Sequence, residues 1–115
     1  MASIRANVHA VVDGVSAGKI LETFDRWYAD DVVMSENGVS DTRGKAANRA
    51  RQLEFVSGAE IHSARAGEIL IDGDHAAIEW TLEFTPRGGA RTTLTQIALQ
   101  TWRNGKIARE VFYHA

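Results

Sequence analysis

Apolar residues recur at helical spacing in the first part of the chain. Over residues 4–16 they stand at i, i+4, i+7, i+8 and i+11, one face of a helix, with Ser3 as the candidate N-cap. Residues 44–56, GKAANRARQLEFV, combine helix formers with few apolar anchors, which predicts another helix with one exposed face. Between these two helices the helical spacing repeats up to residue 28, which predicts a further helix. The apolar residues of the first two predicted helices are Ile4, Val8, Val11, Val12, Val15, Ile20, Leu21, Phe24, Trp27 and Tyr28.

The pattern changes after Gly58. The rest of the chain has the composition of four strands, separated by the turn signals DGD, PRGG and RNGK. Before the third predicted helix, YADDVVMSENG is typical of a short strand that ends in a turn at ENG. The sequence therefore predicts one α+β domain over residues 1–115: three helices, a short strand pair and an antiparallel meander, with the helices on one sheet face.

The two faces of the predicted strands differ in how clearly they separate apolar from polar residues. In AAIEWTLEF, alternation directs the apolar residues towards the helices. In LTQIALQTW one face carries Leu94, Gln96, Ala98, Gln100 and Trp102, and the other carries Thr93, Thr95, Ile97, Leu99 and Thr101. Because neither face is simply polar, we expect helices on one face and a partner subunit on the other, which makes a homodimer through Ile97 and Leu99.

Glutamines on an otherwise apolar strand face indicate a cavity. A buried polar group without a partner costs about 1–3 kcal/mol, so a solid core would not hold Gln96 and Gln100 easily. A small apolar cavity with a few polar groups accounts for them and is the usual form of a ligand pocket. Trp80 and Trp102 are expected in the walls of this core or pocket.

Composition narrows the function classes. The formal net charge is −2, with Lys and Arg scattered along the chain, which argues against a nucleic-acid partner. The chain has no cysteine and no long apolar stretch, so we expect no disulfide, no membrane span and a cytoplasmic protein. We also expect no metal and no cofactor, because the sequence shows neither metal-ligand spacing nor a phosphate-binding glycine loop.

Three stretches together resemble a known superfamily. Two helices followed by YADDVVMSENG, a helix beginning GKAA, and a final hairpin WRNGKIAREVFYHA resemble the nuclear transport factor two-like superfamily, closest to its SnoaL-like and ketosteroid-isomerase-like branches. The resemblance covers nearly the whole chain. It implies a cystatin-like fold, in which a curved antiparallel sheet wraps around the helices as a cone. It also implies a pocket at the open end and dimerisation through the outer sheet face.

The resemblance also implies candidate catalytic residues. The carboxylate that the isomerase branch uses as its base corresponds to Glu36, which points inward with Val32 and Met34. The oxygen-binding tyrosine and aspartic acid of that branch correspond here to Val11 and Ala98, so both donors are missing. SnoaL-like polyketide cyclases commonly end the last strand with an aspartate, where this chain ends FYHA and offers His114. The candidate catalytic residues are therefore Glu36 and His114.

The direction of Glu110 depends on the last hairpin. A two-residue turn at Asn104-Gly105 pairs Ala98 with Val111, whereas a three-residue loop with a bulge pairs Ala98 with Glu110. The resemblance favours the second register, which turns Glu110 inward, and it also places Tyr28 at the pocket. The complete set of predicted pocket residues is Tyr28, Met34, Trp80, Gln96, Gln100, Trp102, Glu110 and Phe112.

Two functions from different classes follow. The first is a SnoaL-like protein whose pocket takes a small, mostly apolar carbonyl compound and isomerises or cyclises it by proton transfer. Glu36 would be the base, assisted by Gln96, Glu110 or His114. The second is a non-catalytic ligand-binding or dimerisation domain that has lost the catalytic donors.

Overall fold

The computed structural model of the chain describes residues 3–115 as three helices and six strands. The helices are α1 (Arg5–Ser16), α2 (Ile20–Trp27) and α3 (Lys45–Gly58). The strands are β1 (Tyr28–Glu36), β2 (Val39–Arg43), β3 (Ala59–Asp72), β4 (His75–Pro86), β5 (Thr92–Arg103) and β6 (Lys106–Tyr113). The predicted α+β class is confirmed.

The first helix begins one residue later than its predicted cap implies. Ile4 is the N-cap of α1, and its side chain makes no capping hydrogen bond. The Ser3 hydroxyl instead accepts a hydrogen bond from the Arg5 backbone N–H at 3.1 Å. Ser3 therefore satisfies one of the free N–H groups that every helix start leaves, from just outside the cap position.

The sheet is mixed and not wholly antiparallel as predicted. Its strand order is β2-β1-β6-β5-β4-β3, and all neighbours are antiparallel except β1 and β6, which are parallel. A parallel pair needs a long connection, and here everything from β2 to β5 supplies it. Register shifts in β1, β3 and β6 accompany the curvature of the sheet, which stays open.

Both Asn-Gly pairs form two-residue hairpin turns. Asn37 and Gly38 (φ 54° and 74°) join β1 to β2, and Asn104 and Gly105 (φ 53° and 76°) join β5 to β6. Positive φ at both positions matches the right-handed twist of the flanking strands, and asparagine and glycine adopt it most readily.

The register of the last hairpin differs from both predicted alternatives. The turn has two residues, but a bulge next to it lies between the Thr101 and Trp102 pairings, and Ala98 consequently pairs with Phe112. The extra residue advances β6 by one position. As a result Glu110 lies opposite Gln100 and points to the inner face.

The core lies between the helices and the inner sheet face. Ala98, Gln100 and Trp102 on β5 are all buried, so this face of the strand is the one that points to the helices. On the opposite face Ile97 and Leu99 are 38% and 37% exposed. Within residues 3–115 no helix combines the length and the apolar character needed to cross a bilayer.

A buried asparagine fixes α3 against the edge of the sheet. The Asn48 side chain is 2% exposed, and its amide nitrogen lies within hydrogen-bond distance of three backbone carbonyl oxygens. They belong to Gly44 (2.8 Å), Thr42 (2.9 Å) and Val32 (3.3 Å). One amide thus holds together the start of α3 and the paired strands β1 and β2.

Candidate functional site

A cavity of about 330 Å³ lies between the helices and the inner face of the sheet. Its closed end is formed by buried side chains and its open end by exposed or half-buried ones. Most of the wall is apolar or aromatic. The lining residues are Val11, Val15, Ile20, Thr23, Phe24, Tyr28, Glu36, Arg51, Gln52, Phe55, Trp80, Leu82, Leu94, Gln96, Gln100, Glu110 and Phe112.

Four buried side chains form a continuous line of hydrogen bonds at the closed end, which we call the Glu110 cluster: Tyr28, Gln100, Trp102 and Glu110. The Tyr28 hydroxyl donates to Oε1 of Glu110. The Gln100 amide nitrogen donates to Oε2 of the same carboxyl at 2.8 Å. The Trp102 indole N–H donates to the Gln100 carbonyl oxygen at 3.0 Å. Both carboxyl oxygens are therefore hydrogen-bonded inside an otherwise apolar enclosure.

Burial dominates the acid–base behaviour of Glu110. Loss of hydration is the largest influence and raises the pKa of the Glu110 carboxyl from 4.5 to about 7. The hydrogen bonds from Tyr28 and Gln100 favour the ionised form and oppose this rise, and the charge of Glu36 adds to it. Burial, together with the neighbouring Glu110 charge, also raises the pKa of Tyr28 well above its usual value, so the phenol stays protonated. The cluster therefore holds a carboxyl that changes charge near neutral pH beside a phenol that does not.

The positions of Tyr28, Gln100 and Glu110 follow from where each residue stands in its strand. Tyr28 is the first residue of β1, directly after α2, and its ring stacks on Phe24 with the centroids 4.6 Å apart. Gln100 and Glu110 face each other across the β5–β6 ladder. The bulge that displaces β6 by one residue is what brings the carboxyl opposite the amide.

The two candidate catalytic residues meet at the open end. The Glu36 carboxylate lies 2.9 Å from Nε2 of His114, and the two side chains are 51% and 26% exposed. Asn37 holds the end of β6 in place, because its side-chain oxygen accepts the His114 backbone N–H at 2.9 Å and its own N–H donates to the Phe112 carbonyl. Hydrogen bonds to the Ala115 carbonyl and then to Glu36 raise the pKa of His114 above its ordinary value. Glu36 is thus a half-exposed residue of the cavity mouth and not a fully enclosed one.

Most of the predicted pocket residues line the cavity. They are Tyr28, Trp80, Gln96, Gln100, Glu110 and Phe112. Met34 and Trp102 are buried in the core and lie outside the lining. Helix α3 packs against β1, the strand that carries Met34, and the Trp27 ring packs edge-on against Trp102.

The structure also locates the positions without donors and the residues that sequence reasoning missed. Val11 lines the cavity and Ala98 is buried, so neither side chain supplies a hydrogen bond.

Arg51, Gln52 and Phe55 of α3 line the cavity and were not predicted to do so. These three residues have the i, i+1, i+4 spacing of one helix face. However, α3 has few apolar residues, so its sequence did not indicate that this face points inward.

Within residues 3–115 no group of three or more His, Cys, Asp or Glu side chains is arranged to hold a metal ion. Two aspartates that follow α2 lie inside β1. Asp30 and Asp31 are exposed there, and Asp31 forms an ion pair with Arg103. They contribute surface charge away from the cavity.

Comparisons with solved structures give the same fold. A SnoaL-like polyketide cyclase candidate from Mesorhizobium loti is 25% identical, with a TM-score of 0.88 over 98% of this chain and 100% of that one. A polyketide cyclase candidate from Pseudomonas putida is 24% identical (TM-score 0.75, 94% and 88% covered). An LEH-like epoxide hydrolase from Mycobacterium tuberculosis is 21% identical (TM-score 0.78, 97% and 81% covered).

The family comparison covers most of the sequence. Among curated proteins no significant match is found. The model of the SnoaL-like domain matches residues 8–110, which include the Glu110 cluster and every residue of the cavity wall except Phe112. This chain belongs to the SnoaL-like domain family.

Proposed function

We propose that the protein binds a small, mostly apolar carbonyl compound in its cavity and catalyses a proton transfer on it, such as an isomerisation or a cyclisation. The observation that carries this proposal is the Glu110 carboxyl, buried in an apolar cavity with a pKa raised to about 7. A group that is half protonated near neutral pH both donates and accepts protons efficiently. Strongly perturbed acids in clefts are typical of catalytic sites.

The closed end supplies a donor from a position other than Val11 or Ala98. The Tyr28 phenol lines the cavity, and when Glu110 is neutral its carboxyl proton is shared with the Tyr28 oxygen. A single well-placed donor to a developing oxyanion contributes about 3–4 kcal/mol to lowering a barrier. Tyr28 is therefore assigned the carbonyl oxygen of the ligand, with Glu110 as the acid behind it.

The open end supplies the base. Glu36 lines the same cavity from its mouth, and its carboxylate is oriented by His114. In the proposed reaction Glu36 removes a proton from the carbon next to the carbonyl, and the electron pair moves onto the oxygen, which takes a proton from the closed end. The proton held by Glu36 is then delivered to a different carbon while the oxygen returns its proton to the closed end, which restores the carbonyl and completes an isomerisation.

A non-catalytic binding domain is the second candidate. Two observations favour it: both oxygens of Glu110 already have partners within the protein, and Glu36 is half exposed. In that case the cavity would hold a ligand without changing it. Fold alone does not separate the two functions, since one scaffold of this kind hosts many.

Hydrogen–deuterium exchange separates the two candidates without knowledge of the natural substrate. The protein is incubated in D₂O with a panel of cyclic enones and β-diketones, and loss of the proton next to the carbonyl is followed by NMR. We expect exchange above background, reduced about 10²- to 10⁴-fold in Glu110→Gln and in Glu36→Gln. Glu22→Gln, an exposed carboxylate on α2, is the matched control and should exchange as the wild type does.

Each other outcome has a definite meaning. Binding of panel compounds, seen as shifts of cavity resonances, with exchange at the background rate would support the binding domain. Equal exchange in the wild type and both variants would remove Glu110 and Glu36 from the mechanism. No binding of any carbonyl compound would refute the proposed ligand class.

We also propose that the chain forms a homodimer through the outer face of the sheet. Ile97 and Tyr113 are register partners on that face, and Leu99 follows on the same strand. These three side chains are 38%, 43% and 37% exposed. An apolar patch of this kind on the middle strands of a sheet is typical of a surface that another subunit covers.

A further inference from the structure

The hydrogen bonds of the Glu110 cluster have a direction that follows from chemistry alone. The Trp102 indole N–H only donates, so the Gln100 atom beside it must be the carbonyl oxygen. The Gln100 amide nitrogen is then the atom that faces Glu110, at 2.8 Å from Oε2. With the opposite amide orientation two donors would face each other at Trp102, between side chains that are 1% and 2% exposed.

This direction restricts where Glu110 carries its proton. An amide NH₂ group only donates, so Oε2 of Glu110 must accept from Gln100 whether the carboxyl is ionised or neutral. A proton on Oε2 would have no acceptor there. Oε1 faces the Tyr28 hydroxyl, which both donates and accepts. The neutral carboxyl therefore keeps its proton on the Tyr28 side.

We propose that Trp102 is a positioning residue of the site: by fixing the Gln100 amide, it confines the acidic proton of Glu110 to the oxygen shared with Tyr28. Trp102 does not line the cavity and is 2% exposed, so it acts only through Gln100. The catalytic meaning of this arrangement rests on the function proposed above, whereas the position of the proton does not.

The arrangement makes a single proton path between Glu110 and the cavity, through Tyr28. When Glu110 is neutral, its proton is donated to the Tyr28 oxygen, and the Tyr28 hydrogen turns to a ligand oxygen in the cavity. On transfer the Tyr28 proton moves to the ligand oxygen and the Glu110 proton replaces it on Tyr28. Glu110 is left ionised, with its charge held by the Gln100 N–H. The atom that contacts the ligand is thus the Tyr28 hydroxyl, and the ligand group it suits is a hydrogen-bond acceptor.

The test removes one N–H without changing the shape of the core. Trp102 is replaced by 3-benzothienylalanine, in which sulfur stands where the indole N–H was. The Glu110 carboxyl is titrated by ¹³C NMR, and the Gln100 side chain is followed by ¹⁵N NMR. Without the indole donor the amide is free to turn and accept a proton from Oε2, which favours neutral Glu110. We expect the titration midpoint of Glu110 to rise by roughly one pH unit, because one hydrogen bond to the charged form is lost.

Trp27 provides the matched control. Its ring packs against Trp102 with the centroids 6.2 Å apart, but it is not part of the Glu110 cluster. The same replacement at Trp27 should leave both the Glu110 titration and the Gln100 resonances unchanged. Trp102→Phe is a second variant that also lacks the N–H, and it should reproduce the rise if it keeps the wild-type spectrum elsewhere.

The outcomes distinguish this inference from the proposed function. An unchanged Glu110 midpoint in the benzothienylalanine protein would refute the positioning role of Trp102, whatever the exchange activity. A raised midpoint in a protein without exchange activity would support the positioning role while the proposed catalysis failed. If exchange is present, the pH profile of the rate should move upward with the Glu110 titration, which a purely structural role of Trp102 would not cause.

Discussion

The Glu110 carboxyl should make the stability of the protein depend on pH, and Glu110→Gln should remove that dependence. In the unfolded chain the carboxyl has an ordinary pKa of 4.5, and in the folded protein the pKa is about 7. Between these values the folded state binds more protons than the unfolded state. Raising the pH therefore lowers the free energy of unfolding, and the loss is complete above about pH 7. Below about pH 4.5 the carboxyl is neutral in both states and contributes no such difference.

The size of the effect follows from the same two values. Each pKa unit corresponds to 1.36 kcal/mol, so the change from 4.5 to about 7 amounts to about 3 kcal/mol at high pH. A glutamine at position 110 can accept from the Gln100 amide and donate to the Tyr28 oxygen, so the variant leaves no buried partner unsatisfied. We expect Glu110→Gln to gain about 3 kcal/mol relative to the wild type between pH 4 and pH 9.

Urea unfolding followed by tryptophan fluorescence, at several pH values between 4 and 9, measures this difference. His114 also titrates with a raised pKa, and its contribution is present at low pH and lost as the pH rises. Both proteins carry His114, so its contribution cancels in the comparison. A stability difference that does not change with pH would refute the burial argument. A variant less stable than the wild type at pH 9 would show that the charged carboxyl is structural.

Three further outcomes follow from the structure. Tyr28→Phe removes a donor to the ionised carboxyl, so the ¹³C titration midpoint of Glu110 should rise above the wild-type value of about 7; a lower midpoint would contradict the assigned hydrogen bond. Leu99→Lys should convert the proposed dimer to a species of 12.6 kDa in light scattering, whereas Leu53→Lys, an exposed position on α3, should not. Asn48→Ala should lower the free energy of unfolding by about 2 kcal/mol in urea titrations, because three backbone carbonyls lose the Asn48 amide, although those of Val32 and Gly44 keep a backbone N–H donor; a change below about 1 kcal/mol would show that water replaces the amide.

Local patterns were sufficient for most of the fold. The apolar stripes of α1 and α2 and the alternation in β4 reflect burial on one face, because a buried face requires apolar residues at a regular spacing. The Asn-Gly turns were equally clear, since their backbone geometry selects the residue types. The parallel pairing of β1 with β6 was not predictable in this way, because it joins strands from opposite ends of the chain.

The candidate site shows where residue patterns stop being informative. Gln100 and Glu110 were predicted to lie at the pocket, and they do, but through a two-residue turn combined with a bulge, which neither predicted register contained. A bulge depends on how the whole sheet curves, and no residue near the turn specifies it uniquely. The hydrogen bond between Tyr28 and Glu110 joins residues 82 positions apart, so their partnership appears only in three dimensions.

The position of Glu36 illustrates a further limit. The strand parity directed it inward, and it does line the cavity. It is nevertheless half exposed, because it is the last residue of β1 and the turn at Asn37 opens the chain to solvent there. Parity fixes the direction of a side chain but not its depth, which depends on where the strand ends relative to the helices.

The parallel pairing of β1 with β6 also has a consequence for how the chain is made. Strand β6 lies between β1 and β5, so it joins a two-stranded half of the sheet to a three-stranded half. During synthesis β1 and β2 leave the ribosome early, but the strand that pairs with the free edge of β1 is the last to emerge. Until then the edge of β1 is open to wrong partners, and the Tyr28 hydroxyl has no carboxyl to bind. We therefore expect assembly of the sheet to be slow for a domain of this size, since the closing contact joins strands that are far apart in sequence.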